Sequence, residues 1–127
     1  MMKDSNKKSF KPQLHVEDVH KTAIFYRDVL NFTILELSES TNGPKAILER
    51  DGFVITFVYG NIQDQLHDQK NKYTGCDLHL FLPSLDEFYE NIIRKKVSII
   101  KDIELQLYGN LEFSFVDCNG KNVFVGD

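Results

Sequence analysis

Two short segments carry the residues best suited to chemistry. They are Gln13-Leu14-His15-Val16 and Asp77-Leu78-His79-Leu80. In each, a histidine alternates with apolar residues, the two-residue period of a half-buried strand. An imidazole titrates near neutral pH and can donate a proton, accept one or ligate a metal. Asp77 lies two residues before His79 and so shares its strand face, and Glu112 sits in a third alternating segment. Together His15, His79 and Glu112 could hold a non-standard metal or work as acid and base. They could equally be polar wall residues that hydrogen-bond a ligand, which is the commoner fate of such side chains. His20 opens a helix and is expected in solvent, as is the His67-Asp68 pair. Cys76 and Cys118 match no metal spacing and read as reduced thiols without a role.

The elements that must position these residues follow from periodicity. Gln13 to Val16 is a strand, Asp18 a helix cap, and Val19, Ala23, Tyr26 and Leu30 the apolar stripe of a helix. Asn31 stands where a helix ends in a left-handed residue. Strands are expected over 32–38, 45–50 and 53–59, with Asp51-Gly52 as a hairpin turn. The order then repeats. Asp77 to Leu82 is a strand, Ser84-Leu85-Asp86-Glu87 reads as a capping box, and Leu85, Phe88, Tyr89, Ile92 and Ile93 form a second helical stripe. Further strands are expected over 97–103, 110–116 and 121–125. The repeat is offset by 64 residues if Leu14-His15 matches Leu78-His79, and by 66 if the caps Asp18 and Ser84 match.

This gives an α+β chain of two βαβββ modules forming one curved eight-stranded mixed sheet around a cavity, with helices on the outer face. Residues 1–9 are a frayed end, 10–60 the first module, 61–72 a connector and 73–127 the second module, all within one domain. Each helix covers one sheet face, so Leu14, Val16, Leu78, Leu80, Leu82, Leu111, Phe113, Phe115, Val123 and Val125 should point inward to it. Strand alternation sends Lys11, Gln13, His15, Asp77, His79, Phe81, Asn110, Glu112, Ser114 and Phe124 to the opposite face, which becomes a pocket if the strands curl. Phe81 and Phe124 there could stack on a planar ligand or merely fill the cavity.

The bulk numbers narrow the classes. A formal charge of −4 argues against a nucleic-acid partner. No stretch has the length of a membrane span. The lysine-rich start lacks the apolar core of a signal peptide, so a cytoplasmic protein is expected.

The segment from Val16 to Phe32, with Glu17-Asp18 at the strand end, Phe25-Tyr26 in the helix and Leu30-Asn31-Phe32 at its close, resembles the opening of the vicinal oxygen chelate superfamily. That group holds glyoxalases, extradiol dioxygenases, and fosfomycin- and bleomycin-resistance proteins. Asn31 replaces the usual Gly. Asp117-Cys118-Asn119-Gly120 is similar to the family's closing Asp-Pro-x-Gly turn, with Cys118 in place of Pro, and the doubled βαβββ order agrees. The resemblance places the four metal-ligand positions at Lys11, near Thr56, near Asp77 and at Phe124. Of these only Asp77 is a suitable donor, and a catalytic metal needs about three. It also puts Tyr108-Gly109 at the pocket rim.

The resemblance therefore implies a metal-independent protein without cofactors that binds a small organic molecule, similar to the bleomycin-resistance type. A homodimer is implied, with the pocket near or shared across the interface. Asp77 and Glu112 would suit a cationic, partly aromatic ligand. The alternative is an enzyme of the same fold acting on a small oxygenated substrate, through His15, His79 and Glu112 with a metal or through acid–base work. A third reading is an interaction module whose concave face is filled by its own side chains.

Overall fold

The structure is a computed structural model that describes residues 11–61, 63–65, 76–107 and 109–127. Its elements are β1 (Gln13–Val16), α1 (Val19–Asp28), β2 (Thr33–Ser40), β3 (Gly43–Arg50), β4 (Phe53–Tyr59), β5 (Leu78–Phe81), α2 (Leu85–Arg94), β6 (Ile99–Leu105), β7 (Leu111–Val116) and β8 (Asn122–Gly126). The expected βαβββ order holds in both modules.

Local chemistry explains most boundaries. Asp18 accepts a hydrogen bond from Lys21 N at 3.0 Å and starts α1. Asn31 takes φ 61° after the helix, as a left-handed terminator must. Asp51 and Gly52 both have positive φ, the requirement of the tight hairpin turn between β3 and β4. The expected capping box of α2 does not form, because the Ser84 side chain makes no cap hydrogen bond. The acidic Asp86 and Glu87 in the first turn face the positive end of the helix dipole instead.

The strands make two four-stranded sheets, ordered β1-β4-β3-β2 and β5-β8-β7-β6, and not the single eight-stranded sheet expected. Each sheet joins its first and last strands in parallel and the rest antiparallel. The modules meet instead through helices and turns. The Tyr26 hydroxyl donates to Asp117 Oδ2 at 2.7 Å, and Asn119 Nδ2 donates to Thr22 Oγ1 at 3.0 Å. Asn91 Nδ2 donates to the Val29 carbonyl at 2.7 Å. Arg50 donates to the Leu30 carbonyl at 2.8 Å and lies 4.9 Å above the Phe88 ring.

Apolar side chains of both modules form one core. Leu14, Val16, Leu78, Leu80, Leu82, Phe113, Phe115, Val123 and Val125 are buried in it as alternation requires, with Leu111 half-buried at its rim.

Asp117 is the polar node in this core. Beyond Tyr26 it accepts hydrogen bonds from the backbone of Asn119 (2.8 Å) and Lys121 (3.0 Å). Burial pushes its pKa up against those bonds, and burial together with Asp117 raises Tyr26 well above its ordinary value. The neighbouring Cys118 thiol is pushed up to about 11 by burial, so it stays protonated at neutral pH.

Residues 1–10 and most of 61–72 lie outside the described residues, as do Tyr108, His67 and Asp68. Of the connector, 63–65 form a helical turn held by Asn61 and Asp64, which each accept the other's backbone N–H.

Candidate functional site

The face of the second sheet turned away from α2 gathers most of the expected residues. Register places them in two rows, because partners across a sheet share a face. One row runs His79, Phe124, Ser114, Lys101 from β5 to β6. The next runs Phe81, Gly126, Glu112, Glu104.

His79 stacks on Phe81, with ring centroids 4.3 Å apart and planes inclined by 15°, and Phe124 stands at 6.4 Å. Its Nε2 reaches diagonally over the bare Cα of Gly126 to lie 3.2 Å from Glu112 Oε2. The contact is an ion pair when His79 is protonated, and no hydrogen bond is made at the buried Nε2. The second such atom is Ser114 Oγ, on a side chain only 1% exposed. Burial lowers the His79 pKa, and the charge of Glu112 pulls it partly back.

Gly126 lies beneath this contact and leaves room beside it. A Cβ there would stand 3.5 Å from both His79 Nε2 and Asn110 Nδ2. Asn110 therefore borders the same gap. Asp77 does not pair with His79. Its Oδ2 accepts the Asn122 N–H at 2.8 Å and fixes the start of β8.

The first sheet treats its histidine differently. Gln13 lies opposite Thr56, and His15 opposite Val58. Lys11 and Gln13 are exposed and His15 is half-buried. The His15 side chain packs directly on Gly60, where a Cβ would come within 2.5 Å of the His15 Cβ.

Strand pairing also resolves the offset of the repeat. His15 opposite Val58 matches His79 opposite Phe124, so β1 maps to β5 at 64 residues and β4 to β8 at 66. Leu82-Pro83 adds the extra two residues before the second helix.

Among the described residues, no three His, Cys, Asp or Glu side chains form a group able to hold a metal. Within one chain, His79 and Glu112 meet but His15 does not join them as a third donor. At the position carried over for the fourth ligand, Phe124 lies beside His79 and offers no donor atom.

Glu104, Lys101, Gly60 and Gly126 were not singled out from the sequence. The two glycines carried a signal, since each follows or ends the last strand of its module at the same offset. Glu104 did not, because register shifts in β6 between Ile99 and Glu104 break the alternation that would assign its face.

No family profile matches the sequence, and no curated protein matches it either. Solved structures do match over most of the chain. A glyoxalase/bleomycin resistance protein from Streptomyces sp. CB03234 superposes with a TM-score of 0.75 at 14% identity, covering 92% of this chain and 97% of that one. TnmS3, an antibiotic binding protein from the same source, gives 0.73 at 14% identity, with 91% and 90% covered. A superfamily member from Sphaerobacter thermophilus DSM 20745 gives 0.69 at 22% identity, with 91% and 93% covered. The chain has the fold of the glyoxalase/bleomycin resistance/dioxygenase superfamily.

Proposed function

We propose that this protein binds a small organic molecule without a metal, in the manner of a bleomycin-resistance-type sequestering protein. The observation that carries this reading is the second-sheet face. It puts two aromatic rings, Phe81 and Phe124, beside the Glu112 carboxylate, the His79 Nε2 in contact with it, and the buried Ser114 Oγ, which has no hydrogen-bond partner. Buried polar groups are nearly always satisfied, so the orphaned Ser114 hydroxyl on this face asks for a ligand to complete it. Flat rings beside a carboxylate suit a cationic, partly aromatic molecule. An antibiotic-binding protein among the structures of the same fold supports the same class.

A second copy of the chain completes the site in this reading. The cleft between Glu112, Ser114, Phe124 and β6 holds only about 10 Å³, room for a single water, so a ligand must lie over an open face. Phe81 and Leu107 present exposed apolar surface to a partner, at 53% and 100%. No helix of the described residues is long and apolar enough to cross a membrane. A homodimer is expected in this reading, and its mass is what light scattering would report.

Calorimetric titration with bleomycin-type glycopeptides tests the ligand class. Heat of binding and a rise in melting temperature are expected, and neither at millimolar ligand would remove that class. An acid–base enzyme is the second reading, and the His79–Glu112 contact is what favours it.

A further inference from the structure

The row that contains Glu112 has an unusual neighbour. Glu104 on β6 is its direct partner across the strands, so two carboxylates face each other on one side of the sheet. Like charges in that position destabilise a sheet. Lys101 lies in the adjacent row, opposite Ser114. The buried, unpartnered Ser114 Oγ lines the same cleft as both acids. An ammonium group placed between Glu104 and Glu112 would offset their repulsion, and Ser114 could accept a hydrogen bond from it.

The His79 ring stands at the open end of this arrangement. It stacks on Phe81 and directs Nε2 at Glu112 from 3.2 Å, across the gap over Gly126. While neutral it brings no positive charge to Glu112, so a cationic ligand can supply it. Once protonated, it becomes a cation held next to the same carboxylate.

The geometry points to a charge-selecting subsite in which the cation of a flat aromatic ligand and protonated His79 compete for Glu112. Its second carboxylate is Glu104. The subsite rests on the proposed ligand-binding role of this face and adds which charge it takes and what displaces it.

The groups around His79 agree with this assignment. Just before its strand, Asp77 accepts the Asn122 N–H and Cys76 donates to the Leu78 carbonyl. From β8 it meets Phe124 and Gly126, which carry no charge. From β7 it meets Glu112, and beyond that β6 contributes Glu104 and Lys101. Glu112 is therefore the carboxylate in direct reach. Burial holds the imidazole neutral to lower pH than usual, which keeps Glu112 available at neutral pH.

Two flat bicyclic probes test the subsite, the permanent cation N-methylquinolinium and the neutral 2-naphthol, each titrated by NMR against the whole chain. At about pH 7.5 the cation should bind about fivefold more tightly, and at about pH 5 that preference should fall towards one. Glu112→Gln should remove the preference at both values, and Glu104→Gln should reduce it. His79→Gln should retain the preference in acid. Equal binding of both probes by the unaltered protein at about pH 7.5, or a preference that survives acid with His79 in place, overturns the competition while leaving ligand binding at this face intact. If neither probe perturbs resonances of β7 and β8, the ligand-binding reading of the face falls, and the subsite with it.

Discussion

The two modules share strand order, bulged outer strands and a histidine set against a glycine, yet their exposed faces are built differently. In the first, the His15 side chain fills the space over Gly60, and the row around it is Val58, Lys45 and Ser38. In the second, the His79 ring leans across the gap over Gly126 towards Glu112, and aromatic rings flank it on Phe81 and Phe124. One glycine accommodates packing. The other leaves a charged residue accessible. The same backbone device thus yields a closed surface in one module and a half-satisfied polar cluster in the other, and half-satisfied clusters are where ligands are expected.

Several contacts hold the two modules together, and the largest predicted effect concerns one of them. Asp117 is 6% exposed and accepts three hydrogen bonds, one of them from Tyr26 in the other module. Asp117→Ala leaves the Tyr26 hydroxyl and two backbone N–H groups without their acceptor in a buried place. A loss of about 3 kcal/mol is expected in urea unfolding. Tyr26→Phe removes one donor and leaves the others paired, so about 1 kcal/mol is expected. Equal losses for the two would mean that Asp117 serves only its own turn.

The glycines test the contrast directly. Gly60→Ala places a methyl 2.5 Å from the His15 Cβ, which no rotamer change can relieve, so backbone must move. Overpacking of this kind costs about 2 kcal/mol. Because the overlap is with Cβ itself, His15→Ala should not rescue it. Gly126→Ala meets its nearest atoms at 3.5 Å, ordinary contact, and should change stability by less than about 0.5 kcal/mol. Similar costs at both positions would erase the distinction between the packed and the open histidine.

How much of this was legible beforehand follows from which interactions are local. Asp18, Asn31 and Asp51-Gly52 act on neighbours in sequence, and each does what its residue type requires. The apolar halves of the strands could be assigned to the core for the same reason. The capping box at Ser84 failed because sequence spacing permits that hydrogen bond without compelling it. The single eight-stranded sheet failed because strand alternation carries no information on which edges pair. At the site, Phe81, Ser114 and Phe124 could be placed on the face by alternation. Asp77 also accepts the Asn122 N–H, a backbone partner that alternation cannot see. Glu104 was hidden by the irregular register of β6.

The smallest effect isolates His79 from the rest of the molecule. Its pKa is lower in the folded chain than the ordinary value near 6.5, through burial, with Glu112 opposing. As pH falls below that ordinary value, the unfolded chain takes up a proton that the folded chain resists. The folded state is therefore fully favoured above it and loses stability on further acidification, until the folded histidine is protonated as well. The side chain is 37% exposed, so solvent screens the effect and the decline is shallow. Comparing urea midpoints of the unaltered protein and His79→Gln between about pH 7.5 and 5 cancels the carboxylates that titrate in both. The difference should narrow in acid as the unaltered protein loses its advantage. Glu112→Gln removes the charge that supports protonation, so the decline should then extend to lower pH. If instead the unaltered protein gains on His79→Gln in acid, the contact with Glu112 outweighs burial. The second-module histidine would then be a salt-bridge partner at rest, and Glu112 would be closed in the same sense that Gly60 is closed by His15.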